Sequence, residues 1–111
     1  ASQVKKILQE YACQIKAIYG SHLKNIILYG SYARGDYNAA SDIDLMILVD
    51  LSEAEIKKYN DVLAQATFDL NLEYEVLLMP VVKNIDHFIA WQEVLPFYKN
   101  VYREGVPLYA A

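Results

Sequence analysis

Cysteine is almost absent from this chain of 111 residues, as are long apolar runs and clusters of basic charge. The single cysteine, Cys13, can form no internal disulfide, which fits a reducing cytoplasm. Beside Ala12 and Ile15 it is expected as a small buried or half-buried side chain rather than a reactive thiol. No stretch approaches the roughly 20 apolar residues that a membrane crossing needs. The most apolar segment, Ile43–Val49, is interrupted by Asp44 and bounded by Asp42 and Asp50. The first residues, with Lys5 and Lys6, read as an amphipathic helix rather than a signal peptide. Lysine and arginine number 10 against 14 acids, giving a net charge of −4. A long nucleic acid, whose phosphates call for a basic surface, is disfavoured as a partner. A small nucleotide that brings its own cations is not.

The 55% hydrophobic content can fill one core. With no repeat, low-complexity linker or shift in composition, a single domain over residues 1–111 is expected. Val4, Ile7, Leu8, Tyr11, Ile15, Ile18 and Tyr19 recur at spacings of three and four, which predicts a helix over 4–19 ending at Gly20. Asn25–Tyr29 is a short β-rich run broken by Gly30, and 31–35 can form one helical turn. Ile43–Val49 has the character of an interior strand. Ser52 with Glu55 three residues on is a capping-box pattern, followed by the stripe Ile56, Tyr59, Leu63, Ala66, Leu70. Residues 73–82 read as a third strand, bent or ended near Pro80. A last helical region starts near Ile85, with Pro96 breaking or restarting it, and the chain closes as a turn and a short extended tail. The order α-β-(α)-β-α-β-α predicts an α+β fold, a small mixed sheet with helices packed on one face and the other face open for a site.

Chemistry concentrates in Gly30-Ser31-Tyr32-Ala33-Arg34-Gly35-Asp36 and Ser41-Asp42-Ile43-Asp44-Leu45. Alternation along a strand points Asp42 and Asp44 to one side, roughly 6.5–7 Å apart at the backbone. Their carboxylates can converge on one divalent cation, or on two about 3.5–4 Å apart. Such an acid pair is costly without positive charge nearby, which magnesium would supply. Gly30 lets the backbone approach a ligand closely. Ser31 offers a hydroxyl and an N–H at the start of a helical turn, where phosphate is favoured. Arg34 either contacts phosphate or pins the loop by pairing with Asp36. Tyr29 and Tyr32 flank the turn, where they could stack on a base. His22 and His87 lack partner spacing and read as surface residues. Phe88, Trp91, Phe97 and Tyr98 in the last helical region could pack the core, or with so many aromatics form an exposed partner patch.

Gly-Ser, ten residues, then Asp-x-Asp, each at a strand edge, is a specific joint signal. The stretch Gly30–Val49 closely resembles the signature of the DNA polymerase beta-like nucleotidyltransferase superfamily in its minimal form. There Gly-Ser is followed by a spacer often containing Ala-Arg-Gly, here Ala33-Arg34-Gly35, and then by Ser-Asp-x-Asp-Leu. The segment Arg103-Glu104-Gly105-Val106-Pro107-Leu108-Tyr109 is similar to the closing segment of such proteins. The resemblance implies metal-dependent transfer of AMP from ATP to a hydroxyl, with two Mg2+ ions. Asp42 and Asp44 are the implied metal ligands and catalytic carboxylates, with Gly30, Ser31 and Arg34 binding the nucleotide. It implies a third carboxylate on the strand after the long helix. Glu73 and Glu75 are the candidates, and Glu75 matches the family position better, although aspartate is commoner there. Minimal members commonly pair with a small helical HEPN protein, as antitoxin to toxin, and adenylylate its tyrosine. The alternatives are a small-molecule, aminoglycoside-type nucleotidyltransferase completed by a second copy of the chain, and a nucleotide- or partner-binding module with weakened catalysis.

Overall fold

The computed structural model describes residues 2–38 and 40–111. Helix α1 spans Ser2–Tyr19 and is closed by a short 3-10 turn at Gly20–His22. Strand β1 is Leu23–Tyr29, helical turn α2 is Ser31–Arg34 and strand β2 is Ile43–Val49. Helices α3 (Glu53–Lys57) and α4 (Asn60–Tyr74) lead to strand β3, Leu78–Asn84. Helices α5 (Ile85–Trp91) and α6 (Pro96–Glu104) then lead to strand β4, Val106–Ala110. The strands lie in the order β3-β2-β1-β4. β1 runs antiparallel to both β2 and β4, whereas β2 and β3 are parallel, so the sheet is mixed as expected.

The largest core layer forms because two helical stripes meet the odd-numbered residues of β2. Ile7, Tyr11, Ile15 and Tyr19 of α1 are buried at four-residue spacing, and Leu63, Thr67 and Leu70 of α4 lie beside them. They cover Ile43, Leu45, Ile47 and Val49, together with Ile26, Leu28 and Leu78. Fully burying an aliphatic side chain such as Ile7 or Ile15 contributes about 2 kcal/mol. A buried polar contact crosses the layer. The Thr67 hydroxyl donates to the Leu63 carbonyl at 2.7 Å, and the Tyr11 hydroxyl meets Thr67 Oγ1 at 2.6 Å. Burial pushes the Tyr11 phenol up to about 12, with the bond to Thr67 opposing.

The opposite face is not open along its whole length. Met46 and Leu48 point to it and are covered by Phe88 of α5 and by Tyr98 and Val101 of α6. The uncovered part lies at the start of β2, where Asp44 stands. The helical pair α5–α6 bends back because Pro96 opens α6 and Asn84 caps α5, its side chain accepting from the His87 N–H at 3.0 Å.

Three further features differ from the sequence reading. The capping box at Ser52 and Glu55 is formed, with bonds of 2.9 and 3.2 Å, but the helix it starts breaks at Lys58 and restarts at Asn60. The extended tail becomes a fourth strand on the free side of β1. Cys13 is exposed rather than buried, because its position falls between the buried turns of α1 marked by Tyr11 and Ile15.

Candidate active site

Three strand ends place the acid pair. Tyr29, the last residue of β1, stands level with Asp44, and Asp44 stands level with Met79 on β3. Asp42 lies two residues earlier, exposed, just before β2 begins. The chain reaches it through a tight loop. Asn38 Oδ1 accepts from the Ala40 N–H at 2.8 Å, the Asn38 N–H donates to Ser41 Oγ at 2.9 Å, and the Ser41 N–H donates to the Asn38 carbonyl at 3.0 Å. Asn38 and Ser41 therefore set the direction in which Asp42 enters the site. The sequence signal for this was the Asn-x-x-Ser spacing, which can close a turn through side chains.

Gly30 couples the turn to the acids. Its backbone, at φ +78° and ψ −156°, occupies a region that is nearly restricted to glycine. A Cβ built there would come within 2.5 Å of Asp44 Oδ2, so the carboxylate lies directly against the glycine. The Gly30 carbonyl accepts from the Ala33 and Arg34 N–H groups at 3.1 and 3.0 Å. The N–H groups of Ser31 and Tyr32 are then the head donors of the turn, the groups a helix cannot satisfy within itself. Ser31 is half-buried beside them.

Arg34 pins the loop. Its Nε donates to Asp36 at 3.2 Å and its terminal nitrogen to Glu104, at the end of α6, at 3.3 Å. Those two carboxylates hold the guanidinium more firmly protonated than usual, Asp36 first. The pairing with Asp36 is one of the two roles expected of Arg34, and the tie to Glu104 adds a link from the loop to α6. Asp44 is raised above the ordinary carboxylate range, chiefly by burial and then by the Asp42 charge, with Arg34 opposing. The Tyr29 phenol is pushed up to about 12, by burial and then by Asp44.

The two aromatic candidates for base stacking already have partners. Tyr32 stacks on Tyr37 with centroids 4.2 Å apart and planes within 9°. Tyr29 meets Phe97 edge-on at 5.6 Å. A cavity of about 570 Å³ lies between α1, Leu28, Leu108 and the Tyr32–Tyr37 pair, and does not include the aspartates.

Glu73 and Glu75 do not lie on the strand where they were expected. Glu73 is in the last turn of α4, and Glu75 is its C-cap in the left-handed conformation, φ 53°. The helix runs further because Leu70 is buried and Asn71 binds both sides of the junction. The Asn71 carbonyl accepts from the Glu75 and Val76 N–H groups, and its side chain bonds the Leu78 N–H at 2.7 Å. Among the described residues no group of three His, Cys, Asp or Glu side chains is placed to hold a metal ion. The donor set present, two carboxylates, suits a hard cation that keeps waters and binds phosphate as well.

The family model of the nucleotidyltransferase domain matches residues 4–103. The chain belongs to the nucleotidyltransferase domain family. A Methanocaldococcus jannaschii protein named “Putative protein adenylyltransferase MJ0604” is 35% identical over 95% of this chain and 97% of its own length. Another from that organism, “Putative protein adenylyltransferase MJ0141”, is 34% identical over 72% of this chain and 79% of its own. Among solved structures, one described as a “putative minimal nucleotidyltransferase” superposes with a TM-score of 0.62 at 20% identity, over 96% of this chain and 94% of the other. A toxin–antitoxin crystallised with AMP-PNP superposes with a TM-score of 0.57 at 17% identity, over 93% of this chain and 73% of the other. These two likenesses establish the minimal nucleotidyltransferase fold. Within this nucleotidyltransferase the Gly-Ser turn and the Asp-x-Asp pair meet at one sheet end.

Proposed function

We propose that this nucleotidyltransferase moves AMP from ATP to a protein hydroxyl, specifically a tyrosine of a small helical HEPN-type toxin that it neutralises as an antitoxin. The observation that carries the reading is the contact of Gly30 with Asp44, which holds the Gly-Ser turn against one of the two carboxylates. The relatives named as protein adenylyltransferases support AMP and a protein acceptor. The toxin–antitoxin neighbour with AMP-PNP supports an adenine nucleotide and a toxin partner.

In this reading Asp42 and Asp44 hold a magnesium ion. Magnesium, when bound, supplies the positive charge that stabilises phosphoryl oxygens and offsets the acid pair. Ser31 and the head of α2 orient the triphosphate. Arg34 keeps the loop in register by joining Asp36 to Glu104. Two carboxylates, without Glu75, make up the proposed metal ligands. The open surface around them leaves room for a folded protein to present its hydroxyl, as an enclosed pocket would not.

A second reading, a nucleotide- or partner-binding module with weakened catalysis, draws on Met79 standing beside Asp44 where a further acid would fit. Radiolabelled ATP and Mg2+ with a candidate HEPN-type toxin separates the two. Label on the toxin that disappears with Asp42→Asn supports transfer. Saturable ATP binding with no label at any enzyme concentration supports the module.

A further inference from the structure

We infer that the acidic centre of this chain holds one divalent cation rather than a pair, because Met79 takes the place on β3 from which a further carboxylate would reach. This rests on the nucleotidyltransferase reading above and concerns the same site.

Paired cations at a phosphoryl-transfer site lie about 3.5–4 Å apart and share carboxylates between them. One magnesium ion is satisfied by one or two carboxylates, phosphate oxygens and water. Asp42 and Asp44 meet that smaller demand. A second ion needs a further carboxylate from a neighbouring element, and neither neighbour offers one. On one side of Asp44 stands Tyr29, its ring packed edge-on against Phe97. On the other stands Met79, on a strand about 4.8 Å away by ordinary sheet spacing. A thioether is a soft ligand, poorly suited to a hard cation. One step back, the Ile43 N–H donates to the Leu77 carbonyl at 2.8 Å, so the residue level with Asp42 is another aliphatic one.

The remaining acids that border the site are committed elsewhere. Asp36 and Glu104 are both engaged by Arg34. Glu75 sits in the helix cap that Asn71 fastens from both sides. Met79 and Leu77 are 43% and 49% exposed. An acid at either position would therefore be solvated, and the lack of one is not forced by the core. Position 79 is open to a carboxylate and holds none.

Counting bound Mn2+ tests this. The protein is titrated with Mn2+ at saturating AMP-PNP, free ion is read by electron paramagnetic resonance, and circular dichroism confirms folding of each variant. One Mn2+ per chain is expected for the wild type, and two for Met79→Asp, with the spectral broadening of two close spins. Met79→Asn, the neutral control, is expected to stay at one. Two ions on the wild type overturn the inference while leaving the nucleotidyltransferase reading intact. No bound ion on a folded wild type overturns both. One ion on a folded Met79→Asp shows that Met79 does not occupy the second place and overturns the inference.

Discussion

Gly30, just past the end of β1, and Asp44, on β2, are in such close contact that even a methyl group on the glycine would collide with the carboxylate. Gly30→Ala therefore meets two obstacles, the clash and a positive φ. Backbone strain of this type costs about 1–3 kcal/mol. The variant is expected to lose that much stability in urea unfolding. It should also lose AMP transfer, because Asp44 must move. Full retention of transfer would show that the contact does not position the carboxylate.

Asp44 predicts the opposite effect on stability. Its pKa is raised in the folded chain, so the folded state favours the protonated acid. Ionised Asp44 thus weakens folding, and the penalty grows as pH rises from the ordinary value through the raised one. At neutral pH it is fully present. Asp44→Asn is expected to melt at a higher temperature than the wild type at pH 7 without divalent cations, and the difference should vanish at acid pH. Added Mg2+ should raise the melting temperature of the wild type and not of the variant. Equal melting temperatures at pH 7 would contradict the burial argument.

Thr67→Val tests the polar bridge in the larger core layer. The change is nearly isosteric but strands the Tyr11 hydroxyl, which meets Thr67 at 2.6 Å. An unsatisfied buried hydroxyl costs about 1–3 kcal/mol. The double variant Tyr11→Phe with Thr67→Val should recover most of that loss, as a double-mutant cycle in urea would read.

Gly105→Ala tests the join between α6 and β4. A Cβ there would run into the Ile27 side chain and the Val101 carbonyl. Overpacking of this kind costs about 1–3 kcal/mol. The loss should be accompanied by faster amide exchange in β4, measured by NMR.

The site was legible in the sequence where local rules decide it. Alternation along β2 put Asp42 and Asp44 together, and Gly30 marked the turn because only glycine tolerates that backbone. What was not legible depends on packing between distant elements. Helix α4 carries no glycine stop signal near Glu75. A non-glycine residue closes it in the left-handed conformation, stabilised by Asn71 reaching across to Leu78. That single cap moves Glu75 off the strand that period-two reasoning assigned to it. The covering of the second sheet face by Phe88, Tyr98 and Val101 was hidden for a related reason. Their neighbours Trp91, Phe97 and Tyr102 are equally aromatic but exposed, so composition gives no stripe to follow. The pairing of β4 with β1 was masked by Pro107 and the brevity of the segment.

That last pairing gives the chain a vectorial problem. β1 carries Gly30 at its end, yet one of its two sheet neighbours is β4, which leaves the ribosome long after it. Until then β1 presents an unpaired edge, open to other extended chains. Register between distant segments also forms slowly. The Gly-Ser turn is anchored on a strand that stays half-zipped until the last helix has been made.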